Sequence, residues 1–285
     1  MSISKKTVLI TGCSDGGLGA AMAKVLREKD YHVFATLRNI SKAGALRDLS
    51  DVDILELDVS STDSIAQCAE EVKRRTTKLD ILINNAGSDF LMPILDADIE
   101  KAKKFFDVNF WSVPVVTQAF ADLIINARGV IVNCSSVLWN IPTPWAGLYT
   151  TAKAAIKQLS ETMRVELEPL GVRVVTAIIG GVQTNFFSNA LNEPFQLPEN
   201  SYYKPIEKLL ENERAGKHTL QGESVDATAR NLVNDVLDGA NGCIWRGAKS
   251  TDAKWLTWLL PTWALEWIVT RSRGLEELRQ QYSNR

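Results

Sequence analysis

The sequence predicts one doubly wound α/β domain, a parallel sheet of about seven strands with helices on both faces. Three observations carry this reading. Short β-branched runs alternate with longer amphipathic stretches, the order that builds right-handed strand–helix–strand units. The strand candidates are apolar throughout instead of alternating, as a sheet covered on both faces requires. A glycine cluster follows the first strand, where such sheets bind phosphate.

Each element follows from its own residues. "KTVLITG" is a buried strand ending in glycine, and a helix runs from about Gly19 to Asp30. "YHVFATL" is the second strand, and "VDILELDV", after a short helical stretch, the third. The polar helix containing "IAQCAEEVKRR" leads to "LDILINNAG". A long helix covers roughly Ile99 to Asn126, then come "GVIVNCSS" and a helix from about Leu148 to Glu168. "VRVVTAIIGG" and "GCIWRG" complete the sheet. No Gly/Ser-rich or Pro-rich linker interrupts residues 1–250, which form one domain. Within it, residues of about 185–223 break the alternation and are expected to close as a lid over the strand C-termini. Residues 251–285 are a Trp-rich extension expected to pack on that domain.

Composition narrows the function. Of 285 residues, 45% are apolar and 23% charged, which is ordinary for a soluble globular protein. A net charge of −2 gives no electrostatic reason to expect nucleic acid. Cys13, Cys68, Cys134 and Cys243 form no CxxC pair and point to a reducing, cytoplasmic setting. His32 and His218 are the only histidines, too few for a His-rich metal site, and no metal is expected. The N-terminal residues lack a signal-peptide h-region, and no run of 18 apolar residues marks a spanning helix.

The glycine turn has a mechanism. Gly12, Gly16, Gly17 and Gly19 lie between strand and helix, where backbone can approach a pyrophosphate and the helix N-terminus supplies N–H donors. The second strand ends in Leu37 and Arg38 instead of a carboxylate, which favours a 2′-phosphate and hence NADP(H). Tyr149 and Lys153, four apart, share a helix face. A cation there is expected to lower the tyrosine pKa from its ordinary value of about 10.

Taken in order, the glycine turn, "LDV" at 57–59, "NNAG" at 84–87, Asn109, "NCSS" at 133–136 and Tyr149-x-x-x-Lys153 resemble the short-chain dehydrogenase/reductase family. The resemblance covers nearly the whole chain to about residue 250 and implies a Rossmann-type fold. Within the family, "ITGCSDGGLG", "FATLRN" and "IIGGVQTN" are most similar to fungal NADPH-dependent 1-acyldihydroxyacetone-phosphate reductases and to 17β-hydroxysteroid dehydrogenases.

The resemblance implies roles by position. Tyr149 exchanges a proton with the substrate oxygen, Ser136 hydrogen-bonds that oxygen, and Lys153 serves Tyr149 and the nicotinamide ribose. Asn109 holds a water that relays protons through Lys153; Ser135 is the alternative to Ser136. Gly12, Ser14, Gly17, Leu18 and Gly19 hold the pyrophosphate, Arg38 the 2′-phosphate, and Asp58 and Val59 the adenine. Asn84, Ala86 and Gly87 line the cofactor floor and brace the central strands, Asn85 joins the cofactor-binding set, and Val182 and Thr184 hold the nicotinamide end. Trp139, Trp145 and Phe186 are the substrate candidates. Phe187, Phe195, Tyr202 and Tyr203 line the pocket or anchor the lid. Departures from the family pattern are one extra residue in the glycine turn, Ile179 for a proline, Ala152 for a serine and Trp139 for a glycine.

The expected activity is NADPH-dependent reduction of a ketone on a hydrophobic lipid, terpenoid, steroid or polyketide. A non-redox isomerase or cyclase, and a non-catalytic NADP-binding module, remain as alternatives. A homo-oligomer is expected. The run "KWLTWLLPTWALEWIV" at 254–269 carries Trp255, Trp258, Trp263 and Trp267. Tryptophan favours membrane interfaces, so a peripheral contact with endoplasmic reticulum or lipid droplets is one reading. Packing on the core, over the pocket or on a second subunit is the other.

Overall fold

The computed structural model describes residues 3–186, 194–216 and 222–283. Strand β1 (Thr7–Thr11) leads through α1 (Leu18–Glu28) to β2 (His32–Leu37) and then β3 (Val52–Glu56). Helix α2 (Thr62–Arg75) returns to β4 (Ile81–Asn84). Helices α3 (Ile99–Phe106) and α4 (Ser112–Ala127) precede β5 (Val130–Ser136), and α5 (Gly147–Leu167) precedes β6 (Arg173–Ile179). The short β7 (Val182–Gln183) pairs with β8 (Glu223–Ser224) across the lid, which contains α6 (Glu207–Arg214). Helix α7 (Val225–Leu237) leads to β9 (Gly242–Arg246). The large sheet has seven strands in the order β3-β2-β1-β4-β5-β6-β9, with every pairing parallel.

Strand pleating sorts the core. In β1, Val8 and Ile10 face one side, where they pack with Met22 and Leu26 of α1 and with Leu232 and Val236 of α7. Leu9 faces the other side, with Val116 and Phe120 of α4. Alternate residues of one strand therefore enter two different cores, and both must be apolar. This is the physical basis of the continuously apolar strands in the sequence.

The stretch Ile99–Ala127 holds no unbroken apolar run, yet it is long and apolar enough on average to cross a membrane by length and composition alone. Its apolarity has an interior cause: Val113, Val116, Phe120, Leu123 and Ile124 are buried against the sheet.

A polar chain crosses the middle of the apolar sheet. Asn84 Nδ2 donates to Asn133 Oδ1 at 2.8 Å and to Thr117 Oγ1 at 3.3 Å. Asn133 Nδ2 donates to Ser160 Oγ at 2.9 Å, and that hydroxyl donates to the Ile156 carbonyl at 2.7 Å. The chain joins α4, β4, β5 and α5 at one level of the sheet. Asn84 thus braces the central strands, with its side chain buried and its amide donating to both neighbours.

The tail continues as α8 (Ser250–Leu259), α9 (Thr262–Thr270) and α10 (Leu275–Ser283). Leu275 and Leu278 of α10 pack onto the lid core formed by Trp145, Leu197, Ile206 and Leu210. Ser250, Ala253 and Leu265 are buried, whereas Trp255, Trp258, Trp263 and Trp267 are 50, 75, 72 and 56% exposed. Packing of the extension is therefore confined to α10 and to one thin side of α8 and α9. Its four tryptophans face outward, against the reading in which they are covered by this chain's own core or pocket.

Removing a link from the buried polar chain should be costly, because the partners left behind stay buried without hydrogen bonds. Asn133→Ala is expected to lose about 1–3 kcal/mol of stability. Thermal melting should then shift down by several degrees, and an unchanged melting temperature would show the chain to be energetically idle.

Candidate active site

Functional side chains gather at the carboxyl ends of β1, β4 and β5. The glycine turn is shaped by close contacts. Gly12 has φ +75°, and a Cβ on it would lie 2.8 Å from Ala86 Cα. A Cβ on Gly19 would lie 2.6 Å from both the Gly12 carbonyl oxygen and Asn85 Nδ2. Only glycine fits at either place, which is why the turn can sit tightly on β4. Asn85 Nδ2 donates to the carbonyls of Thr11 and Gly12 at 2.8 and 3.2 Å, and the Asn85 and Ala86 N–H groups each donate to Thr11 Oγ1 at 3.0 Å. The sequence reading missed Thr11; its signal was a hydroxyl on the last residue of the first strand. The extra residue of the turn is absorbed at exposed Gly16, with φ +72°. Asn185 Nδ2 reaches across to the Asp15 carbonyl at 3.4 Å.

Gly17 caps α1 without a side-chain partner, the Ser14 carbonyl accepts from Gly17 N–H at 3.0 Å, and no acidic residue occupies the first turn beginning at Leu18. The helix N-terminus is left available for an anion. Arg38 is exposed just after β2; burial pushes the neighbouring Asp58 carboxyl up, but hydrogen bonds from Ser60 and, least, the Arg38 charge hold it below its ordinary pKa. Val59 is packed in the core beneath. The cradle that added Cβ atoms would fill, the bare helix start and the exposed arginine fit a dinucleotide with a 2′-phosphate. Val182 lies in β7, and Thr184 Oγ1 accepts from Phe186 N–H at 3.3 Å.

The catalytic candidates come together around the start of α5. Ser136, 7% exposed, accepts from Leu138 N–H at 3.2 Å and stands close enough to the Tyr149 phenol to act on its pKa. Ser135 instead donates to the Lys153 carbonyl at 2.8 Å, tying α5 to β5. Lys153, also 7% exposed, donates from Nζ to the Cys134 carbonyl at 3.1 Å and lies 5.8 Å from the Tyr149 ring centroid. Burial lowers its pKa to about 8. The expected lowering of the Tyr149 pKa by Lys153 is corrected here. Burial drives the phenol upward and Asp89 adds to it, while Ser136 alone opposes them. The ammonium is directed at a carbonyl, not at the phenol oxygen.

Asn109 sits in a π-helical turn, Asp107–Trp111, between α3 and α4. Its Nδ2 donates to Ser88 Oγ at 3.1 Å and to the Phe105 carbonyl at 3.0 Å, and its Oδ1 accepts from Ser88 N–H at 3.0 Å. A Cβ on Gly87 would lie 3.0 Å from Asn109 Oδ1 and 3.8 Å from Lys153 Nζ, so the strip 87–88 spans the gap between these two residues. A poor helix former at this site marks a widened turn, a common device at functional sites.

One substrate candidate takes another place. Trp145, 8% exposed and at φ +69°, donates from Nε1 to the Arg273 carbonyl at 3.0 Å and packs 5.3 Å from Tyr203 in the lid core. It anchors lid and tail and is not free to line the pocket, a correction of the expectation. The Trp139 ring lies 5.2 Å from Lys157 Nζ, one helical turn beyond Lys153. Phe186 is half-buried beside Thr184, and Phe187 falls outside the described residues. Phe195 stacks 5.8 Å under the Arg214 guanidinium of α6. Among the described residues, no cluster of metal-ligating side chains occurs.

A family model described as short chain dehydrogenase matches residues 6–194. A short-chain dehydrogenase of Talaromyces islandicus, cctT, is 45% identical over 96% of this chain and 97% of its own. The NADPH-dependent 1-acyldihydroxyacetone phosphate reductase of Schizosaccharomyces pombe is 39% identical over 81% of this chain and 79% of its own. Among solved structures, a Burkholderia cenocepacia short chain dehydrogenase in complex with NADP superposes with a TM-score of 0.73 at 24% identity, over 94% of this chain and 99% of that one.

Lys153 stores a cost. At neutral pH it is protonated in folded and unfolded chains, and burial disfavours that charge only in the fold, by a few kcal/mol. The penalty is full below about pH 8 and is relieved as pH rises from there towards the ordinary lysine value of 10.5. Lys153→Met is therefore expected to raise the melting temperature of the cofactor-free protein at pH 7, with a gain that shrinks above pH 8, while NADPH affinity falls. A lower melting temperature at pH 7 would contradict this account.

Proposed function

The chain belongs to the short-chain dehydrogenase family, oxidoreductases that act between CH–OH and C=O with NADP(H), and from that premise we propose that it reduces a ketone on a hydrophobic substrate. One observation carries the role of Tyr149 as proton donor: burial, with Asp89 adding to it and Ser136 opposing it, keeps the phenol protonated. A phenol kept protonated at neutral pH is an acid, and carbonyl reduction needs an acid at the oxygen. Ser136 hydrogen-bonds the same oxygen as charge develops on it. NADPH held by the glycine turn and Arg38 would supply the hydride. Lys153 replaces the proton on Tyr149, since a lysine with a pKa of about 8 gives one up readily near neutrality. The retained serine, tyrosine and lysine argue against a non-catalytic module.

An acyl-dihydroxyacetone phosphate is one substrate candidate, through the fission yeast relative. A neutral steroid, terpenoid or polyketide ketone is the other, and the apolar side chains of Leu91, Met92, Phe195 and Tyr203 packed against the lid core suit either skeleton.

The tail supports a peripheral place on the cytoplasmic face of a membrane, such as endoplasmic reticulum or lipid droplets. Trp255, Trp258, Trp263 and Trp267 are exposed together with Leu259 and Ile268. Cations flank them: Arg271 lies 3.6 Å from the Trp267 ring centroid and Lys254 5.6 Å from that of Trp255. Amphipathic tryptophan rimmed by basic groups suits the level of lipid headgroups. Exposed Trp111 and Val165, on the helices flanking the sheet, offer a face for a second copy.

Tyr149→Phe keeps the ring and removes the acid. It should bind NADPH normally and lose about 10²–10⁴-fold in kcat, and near-normal turnover would refute the role. Trp258→Ala/Trp263→Ala should lose sedimentation with anionic vesicles while still reducing a small water-soluble ketone; equal sedimentation of variant and parent would remove the membrane reading.

A further inference from the structure

Helix α6 of the lid carries an acid where its pattern calls for an apolar residue. Leu210 and Glu213 are its buried residues, three positions apart and therefore on one face. A carboxylate on the inward face of a helix is costly unless a cation meets it. Arg273 meets it from the tail, 60 positions later, with Nη1 3.0 Å from Glu213 Oε2. The carboxylate is buried, and the guanidinium is half-buried over it.

The backbone of Arg273 is engaged as well. Its carbonyl accepts from Trp145 Nε1 at 3.0 Å, and Trp145 stands four residues before Tyr149. Trp145 in turn packs 5.3 Å from Tyr203, and its own carbonyl accepts from Met92 N–H at 2.8 Å. One tail residue thus ties the lid helix to the segment that leads into Tyr149. The chain after it is built for close approach. Gly274 has φ +76°, and a Cβ on it would lie 2.8 Å from Ile206 Cγ2. Leu275 and Leu278 follow into the lid core, and Tyr282 Oη donates to the Tyr202 carbonyl at 2.9 Å.

We propose that Arg273 is a positioning residue for substrate: its ion pair with Glu213 and its backbone bond to Trp145 clasp α6 over the site, and the clasped lid covers the apolar part of the ketone. Arg273 acts through the lid. It governs affinity for an extended apolar chain and leaves the proton transfer at Tyr149 unchanged. Both members of the clasp lie beyond residues 6–194, the stretch that the family model matches, so the clasp belongs to this chain's own lid and tail. The proposal rests on the ketone-reductase reading and deepens it, by assigning the hold on the apolar skeleton to an ion pair outside the catalytic residues.

The test compares 2-butanone with 2-decanone, which share the reacting carbonyl and differ only in the chain a lid would cover. NADPH oxidation is measured for the parent, Arg273→Ala and Arg273→Lys, and hydrogen exchange of α6 is followed in each. Because the first readout is a ratio of kcat/KM values, loss of folded protein cancels. Arg273→Ala should lower the 2-decanone to 2-butanone ratio about 10-fold, since losing a hydrogen bond between charged groups depopulates the closed lid. The loss should lie in KM for 2-decanone, with kcat for 2-butanone unchanged. Exchange in α6 should quicken, and Arg273→Lys, which keeps the charge, should fall between. An unchanged ratio, an equal loss with both ketones, or unchanged exchange in α6 overturns the proposal. Calorimetry of 2-decanone with the NADPH-loaded protein separates the two readings. Weaker binding in Arg273→Ala, with no turnover of either ketone by any form, sinks the reductase reading and sustains the clasp. Turnover with an unchanged ratio sustains the reductase and removes the clasp.

Discussion

The seam between β5 and α5 sets the geometry on which the site depends. Two hydrogen bonds close it, from Ser135 Oγ to the Lys153 carbonyl and from Lys153 Nζ to the Cys134 carbonyl. One fixes the helix backbone against the strand, and the other places a buried ammonium below Tyr149. Ser136 stands at the strand end, and the helix brings Tyr149 to it thirteen residues later. The buried link from Asn133 to Ser160 fastens the same two elements further down. A polar seam inside an apolar sheet is justified only when its members are satisfied, and these are.

The cofactor side follows a second constraint, close backbone approach. Gly12 and Gly19 leave no room for side chains because β1, the first helix and the loop after β4 meet there. Asn85 fills the donor role that a side chain on either glycine would obstruct. The turn is therefore built from both sides: glycines make the space and an asparagine on a neighbouring strand makes it rigid.

Much of this was legible in the sequence. The continuous apolarity of "TVLIT" and "VIVNCSS" reported burial on both faces, and the four-residue interval of Tyr149 and Lys153 reported a shared helix side. Those signals are local. What escaped depends on contacts between distant residues. Trp145 reads as a pocket residue until its indole meets Arg273, 128 positions away. The acidity of Tyr149 reads as a matter of Lys153 alone, because periodicity says nothing of enclosure or of Asp89. Asn109 signalled an anomaly by composition, but the widened turn and its grip on Ser88 are tertiary facts. The outward tryptophans of α8 and α9 were visible as composition, and their exposure was not, since the same residues suit a core equally well.

The central claim is that this site reduces a carbonyl instead of rearranging one. The most direct measurement is the fate of deuterium carried on the nicotinamide ring of NADPH. The account predicts an alcohol product with one deuterium per molecule on the former carbonyl carbon, formed in step with NADPH consumption. A product isomeric with the substrate, unlabelled and made without NADPH consumption, would contradict it.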